Sequence, residues 1–273
     1  MTQQSAPSPH QHETRVMIDQ TAIQIRSIGP FESEKPMWVL LHEGLGSITQ
    51  WRDFPHDLWA ATGYSVLVYD RPGYGRSSPI EGDLPDDFLL QQAHLLPRLL
   101  QALSINKVLL FGHSDGGTLA LLVAALYPDL PLLTITEAAH VLIEPITRQG
   151  LQGLLHMLTT EPDFVNRLLR HHPQADRSML TRWVKTWLRP SLADWSMLDL
   201  LPSIRCPVLA LQGTEDEHGS PAQLETIRQR VSGPADTSLL HACGHVPHLE
   251  ARQQVLEHVT AFLHRHLPPS VKS

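Results

Sequence analysis

Five short runs of Val, Leu and Ile, each closing on a turn signal, constrain this chain more than any other feature. They are Trp38–His42, Tyr64–Asp70, Lys107–Gly112, Leu132–Thr136 and Pro207–Gln212. A strand with one wet face alternates apolar and polar residues. A near-continuous apolar run must be covered on both faces, as in a parallel sheet. Helical spacing separates most of these runs, at Phe88–Leu103, Gly117–Tyr127, Ala222–Val231 and Val255–Leu267. Strand, helix and strand in repetition predict a doubly wound α/β sheet. Arg15–Ile28 alternates apolar and polar residues about a turn near Gln20, which predicts an antiparallel hairpin at one sheet edge.

The alternation breaks between Ala138 and Leu200. This stretch is helical in pattern and holds Trp183, Trp187 and Trp195. An insertion there would lie over the carboxyl ends of the strands, where open α/β sheets place their ligands. The expected division is a tail at 1–14, a core at 15–137 and 201–273, and a helical cap at 138–200. A chain of 273 residues suits one compact domain carrying such an insertion.

Composition narrows the function. The chain is 42% hydrophobic and 18% charged, with a formal net charge of −7 and no basic run. That predicts a globular protein that binds neither nucleic acid nor a membrane. Two cysteines, Cys206 and Cys243, are too few for a disulfide framework and lack zinc spacing, so reduced thiols and a cytoplasmic setting are expected. Met1–Glu13 is polar, without the apolar stretch of a secretory signal. His171 and His172 lack a third ligand at helical spacing, so no metal is expected there.

Gly112-His-Ser-Asp-Gly116 follows an apolar run and opens a helical pattern. A sharp strand-to-helix turn of this kind strains the backbone and exposes the serine hydroxyl at a helix N-terminus. Ser114 is therefore the candidate nucleophile. A hydroxyl needs a base, and the base needs an orienting group. Asp216 sits four residues past the run ending at Gln212, with Glu215 and Glu217 read as solvated neighbours. Glu137, at the end of the run before the insertion, is the substitute acid or a wall of the pocket. Three histidines compete as base. His245 follows a glycine in a loop and is preferred over His241, which ends a strand and is read as packing, and over His248, which starts the last helix.

Acyl transfer passes through an oxyanion that needs two N–H donors. One is the N–H after the nucleophile, that of Asp115. The other comes from the loop His42-Glu-Gly-Leu-Gly-Ser47, with Gly44 preferred and Leu45 the alternative.

Taken together, these motifs resemble the α/β-hydrolase superfamily. The resemblance runs from about residue 15 to 266. It rests on Gly112–Gly116, on His42–Ser47, on Asp70-Arg-Pro-Gly-Tyr-Gly-Arg-Ser77, on Gly213-Thr-Glu-Asp216 and on Gly244-His-Val-Pro-His-Leu-Glu250, in that family's order. It implies an α/β-hydrolase fold with a helical cap. It places Ser114, Asp216 and His245 on the triad, Gly44 and Asp115 on the oxyanion donors, and the Asp70–Ser77 loop in a structural role. Many members read His-Gly at the oxyanion loop, whereas Glu43 intervenes here. A carboxylate there would orient the loop or repel anionic substrates. The His-Gly-Gly-Pro-Gly pattern of the related proline iminopeptidases is missing, which ranks a peptidase lower.

The expected activity is a serine hydrolase cleaving a small to medium, partly apolar carboxylic ester through an acyl-enzyme. No cofactor or metal is expected. Glu43, Leu45, Glu137, Trp183 and Trp187 are candidate pocket residues, with packing within the cap as the competing role of the tryptophans. Lactone, thioester or carbon–carbon bond hydrolysis on the same triad is the first alternative. A non-catalytic binding protein of the same fold is the second.

Overall fold

The computed structural model describes residues 11–31, 35–175 and 177–267. Its strands are β1 (Gln11–Ile18), β2 (Thr21–Ile28), β3 (Met37–Leu41), β4 (Val66–Tyr69), β5 (Val108–His113), β6 (Pro131–Glu137), β7 (Val208–Gly213) and β8 (Ala235–Leu240). They form one sheet in the order β1-β2-β4-β3-β5-β6-β7-β8. β1 and β2 pair as an antiparallel hairpin, β2 joins β4 antiparallel, and every later neighbour is parallel. This is the mostly parallel, doubly wound sheet expected from the sequence. β1 starts at Gln11, inside the stretch read as tail, because Gln11–Thr14 continue the ladder opposite Ile25–Ile28. Residues 1–10 of that stretch lie outside the described residues.

The helices are α1 (Phe54–Thr62), α2 (Phe88–Ala102), α3 (Asp115–Leu126), α4 (Pro145–Thr160), α5 (Pro162–Leu169), α6 (Arg177–Trp187), α7 (Ala222–Arg230), α8 (Pro247–Glu250) and α9 (Arg252–His266). Successive strand side chains point to opposite faces. Thus Val39, Leu41, Leu110 and Ala210 meet α2, α3 and α7 on one side. Trp38, Leu40, Phe111 and Leu211 meet α1 and α9 on the other. The central strands are buried along their whole length, which is why their sequences are apolar without alternation. α3 is buried from Asp115 to Ala125, as a helix apolar on all sides must be. Each fully buried Leu or Phe contributes about 1.5–3 kcal/mol relative to exposure, so the two cores anchor the strand ends firmly.

The chain order reverses around β3, whose neighbours are β4 on one side and β5 on the other. A crevice forms outside the carboxyl ends of strands at such a switch point. The loops that leave β3, β5, β7 and β8 therefore share one end of the sheet. α4, α5 and α6 lie in sequence between β6 and β7 and contribute residues to the cavity there. Among the described residues, no helix is long and apolar enough to cross a membrane.

Candidate active site

Ser114 occupies the turn between β5 and α3 with φ 52° and ψ −119°. Left-handed backbone of this kind costs a non-glycine residue about 1–3 kcal/mol and persists only where its surroundings impose it. Those surroundings are the Glu137 carbonyl, which accepts the Ser114 N–H at 2.8 Å, and the tight approach of α3 to β3. A Cβ on Gly116 would lie 1.9 Å from the Leu41 carbonyl oxygen, so only glycine permits that approach.

The turn brings the serine to its expected partners. Ser114 Oγ lies 2.9 Å from His245 Nε2, and His245 Nδ1 lies 2.8 Å from Asp216 Oδ1. Nδ1–H donates to the carboxylate, which leaves Nε2 to accept the hydroxyl proton. Asp216 also accepts the His218 N–H at 2.8 Å and the Gln212 side-chain N–H at 3.1 Å. Burial alone would raise its carboxyl, but the His245 hydrogen bond and charge hold it down at about 2. Burial lowers His245 to about 4, against the pull of Asp216 and with help from the nearby His113 and His218. At neutral pH the imidazole is neutral beside an ionised carboxylate, the state that takes up a proton.

Gly44, Leu45, Ser114 and Asp115 line one cavity of about 600 Å³. The Glu43 carbonyl accepts from Arg71 Nη2 at 2.7 Å, from the Gly46 N–H at 3.1 Å and from His42 Nδ1–H at 2.8 Å. A trans peptide sets the next N–H opposite that carbonyl, so the Gly44 N–H faces away from Arg71 and His42. The Leu45 carbonyl is held separately by His172 Nε2 at 2.9 Å. Burial lowers His172 to about 4, and as a neutral ring its Nδ1 accepts the Gly75 N–H at 2.9 Å. His171 meets Thr49 Oγ1 at 2.8 Å. The two histidines thus tie the segment after α5 to the loop after β3.

Trp183 and Trp187 line the cavity, and their ring N–H groups are committed. Both donate to the Asp115 carboxylate, at 3.0 and 3.3 Å, beside Arg71 Nη1 at 3.2 Å. Sequence reasoning assigned Asp115 a backbone role only and missed this side chain. The Trp183 ring lies so close to Gly44 that a Cβ there would stand 2.2 Å from it. The Asp70–Ser77 loop supplies Arg71 and holds the Ile48 N–H through Asp70 at 2.7 Å.

Three expectations need correction. Glu137 is not a wall of the pocket, because its carboxylate is fully buried against His248, with Oε2 2.7 Å from Nδ1. Leu133, Ile135 and Glu137 share one strand face, which carries the carboxylate toward the C-terminal helices. His241 lies one residue past β8 and is exposed rather than packed. His248 sits in α8, separate from the longer α9.

The rest of the lining is mostly apolar. Leu151, Leu154 and Met157 come from α4, Phe164 and Leu168 from α5.

Comparison with known proteins gives a concordant result. The model of the alpha/beta hydrolase family matches residues 38–258. The human protein named serine hydrolase BPHL is 27% identical over 175 residues, covering 62% of this chain and 60% of that protein. The chain thus spans about 60% of the length of that relative. A proline iminopeptidase of Lactiplantibacillus plantarum is 28% identical over 236 residues, covering 70% of this chain and 79% of that protein. Among solved structures, that of VinJ aligns with a TM-score of 0.73 at 25% identity, over 95% of this chain and 100% of that one.

Proposed function

The chain belongs to the alpha/beta hydrolase family, and on that premise we propose that it is a serine hydrolase cleaving a carboxylic ester with a partly apolar acyl group. The observation that carries this reading is the hydrogen-bonded chain Ser114–His245–Asp216 opening onto an apolar cavity of about 600 Å³. His245, oriented by Asp216, takes the Ser114 proton as Oγ attacks the carbonyl carbon. The N–H groups of Asp115 and Gly44 receive the oxyanion. The leaving alcohol takes the proton from His245, and a water activated by the same ring then releases the acid. The helices of 138–200 act as the cap that supplies the acyl-binding wall. The buried thiols of Cys206 and Cys243 agree with a cytoplasmic setting.

A peptidase acting on a free N-terminus needs a carboxylate to hold the substrate ammonium. The Glu43 and Asp115 carboxylates beside Ser114 are committed to His113 and to Arg71 with the tryptophans. Glu217 also lines the cavity, its side chain largely exposed, so the prolyl arylamide arm of the test decides between ester and amide. The test is a panel of chromogenic esters, lactones, thioesters and a prolyl arylamide, run beside a fluorophosphonate label. An adduct on Ser114 and fastest turnover of an acyl ester are expected. No adduct, or a prolyl arylamide turned over faster than every ester, would overturn the reading.

Two further outcomes follow from the same geometry. Because His245 must be neutral to act as base and sits at about 4, kcat/KM should hold on acidification and fall only as the pH drops through about 4. A pH–rate profile with its acid limb near the ordinary histidine value of about 6.5 would contradict this. Met157→Trp should narrow the cavity. The expected result is a loss of about 10-fold or more in kcat/KM for an octanoyl ester, with a smaller loss for the acetyl ester.

A further inference from the structure

We propose that Glu43 and His113 form a positioning pair that locks together the three loops carrying the oxyanion donor, the nucleophile and the base. The proposal rests on the serine-hydrolase reading above. Glu43 is the residue that interrupts the His-Gly pattern of the loop after β3, and no step of the proposed mechanism uses its carboxylate.

The carboxylate folds back over its own loop. A Cβ on Gly46 would stand 2.3 Å from Glu43 Oε2, so Gly46 makes the room for it. Oε1 accepts from Gln50 Nε2 at 3.3 Å. Oε2 lies 3.5 Å from His113 Nδ1, an ion-pair distance rather than a close hydrogen bond. His113 directly precedes Ser114 and is fully buried at the end of β5. Its other nitrogen, Nε2, donates to the His245 carbonyl at 2.7 Å. One imidazole therefore spans the loops after β3 and β8 from the elbow after β5.

The protonation state decides whether the span holds. With Nε2–H committed to the His245 carbonyl, a neutral ring would turn the Nδ1 lone pair toward a carboxylate. An imidazolium keeps the Nε2–H donation and sets its positive charge 3.5 Å from the carboxylate. Five titratable groups face it: Glu43 from the loop after β3, Glu137 from β6, His218 from the loop after β7, His245 from the loop after β8, and His248 from α8. Burial works against the charge, but Glu43, then Glu137 and the His245 carbonyl, overcome it and raise His113 above its ordinary value. His113 protonated below its raised value supports the pair, and the support is lost as pH rises through that value. The same contacts hold the Glu43 carboxyl well below its ordinary range, against burial.

Glu43→Gln keeps the shape and removes the charge. The expected result is an alkaline limb of kcat that moves at least one pH unit lower. Between the two limbs, kcat should fall about 10–100-fold, the scale of a small misplacement of reacting groups, with KM for a small ester little changed. Activity should return on acidification only once the pH falls below the lowered His113 value. A merely structural role would lower activity evenly across pH, and that outcome would overturn the pair. Should the variant fail to fold, a histidine-selective NMR titration of the wild type decides instead: a His113 that titrates above the ordinary histidine value of about 6.5 supports the pair, and one that titrates below it overturns it. Fluorophosphonate labelling of the wild type separates the two levels. No adduct sinks the serine-hydrolase reading, whereas a labelled wild type beside an unmoved limb in Glu43→Gln sinks the positioning pair alone.

Discussion

Ser114→Ala should lower kcat/KM for the preferred ester by about 10⁴–10⁶-fold while leaving the fold intact, the scale seen when a triad serine is removed. Among the described residues its hydroxyl hydrogen-bonds only His245, at 2.9 Å, and the change removes one oxygen, so little packing is lost. The strained turn survives, because Gly116 and the Glu137 carbonyl impose it rather than the hydroxyl. Thermal midpoint should therefore move little, and phosphonate labelling should vanish. Residual catalysis from the N–H donors and from binding is expected at about 10³–10⁴-fold over water. Asp216→Asn should cost about 10⁴-fold, since it disfavours the tautomer in which Nδ1–H points at the acid and Nε2 at the serine. Ser114→Ala retaining more than a few per cent of turnover would mean that another group attacks.

The strands and the Ser, Asp, His order were legible because their signals are local. A run such as Leu109–Phe111 carries its own burial in its composition, and an elbow carries its glycines. α1 was not legible, since only Phe54, Pro55 and Leu58 of its nine residues are buried, too short a face to set a period. The side-chain role of Asp115 was hidden for a different reason. Its partners Arg71, Trp183 and Trp187 stand 44, 68 and 72 residues away, so only the fold brings them together. Glu137 shows an intermediate case. Its place at a strand end was readable, and alternation with Leu133 and Ile135 fixes its face. Its partner His248, 111 residues on, was not readable. The spacing of His171 and His172 held no sign of the Leu45 carbonyl that His172 holds.

Asp115→Asn should destabilise the protein by about 3–5 kcal/mol, the cost of stranding one member of a buried ion pair. Arg71 is fully buried and Asp115 nearly so, and their 3.2 Å contact is the guanidinium's one carboxylate partner among the described residues. Arg71 also donates to Gln92 Oε1 at 2.9 Å and to the Glu43 carbonyl at 2.7 Å, both neutral. An amide also brings two donors to a site already filled by two indole N–H groups and a guanidinium. Urea unfolding reads the stability. Tryptophan emission should shift to the red as Trp183 and Trp187 lose their acceptor, and KM for apolar esters should rise as α6 loosens. A loss under about 1 kcal/mol would mean that the pair behaves as a solvent-screened one. The double variant Arg71→Met with Asp115→Leu then separates two roles of the arginine. Replacing a whole buried pair by apolar residues is often neutral for stability, so much of the lost stability should return. Turnover should recover less than stability, because the Glu43 carbonyl loses its Arg71 donor and keeps only those of Gly46 and His42.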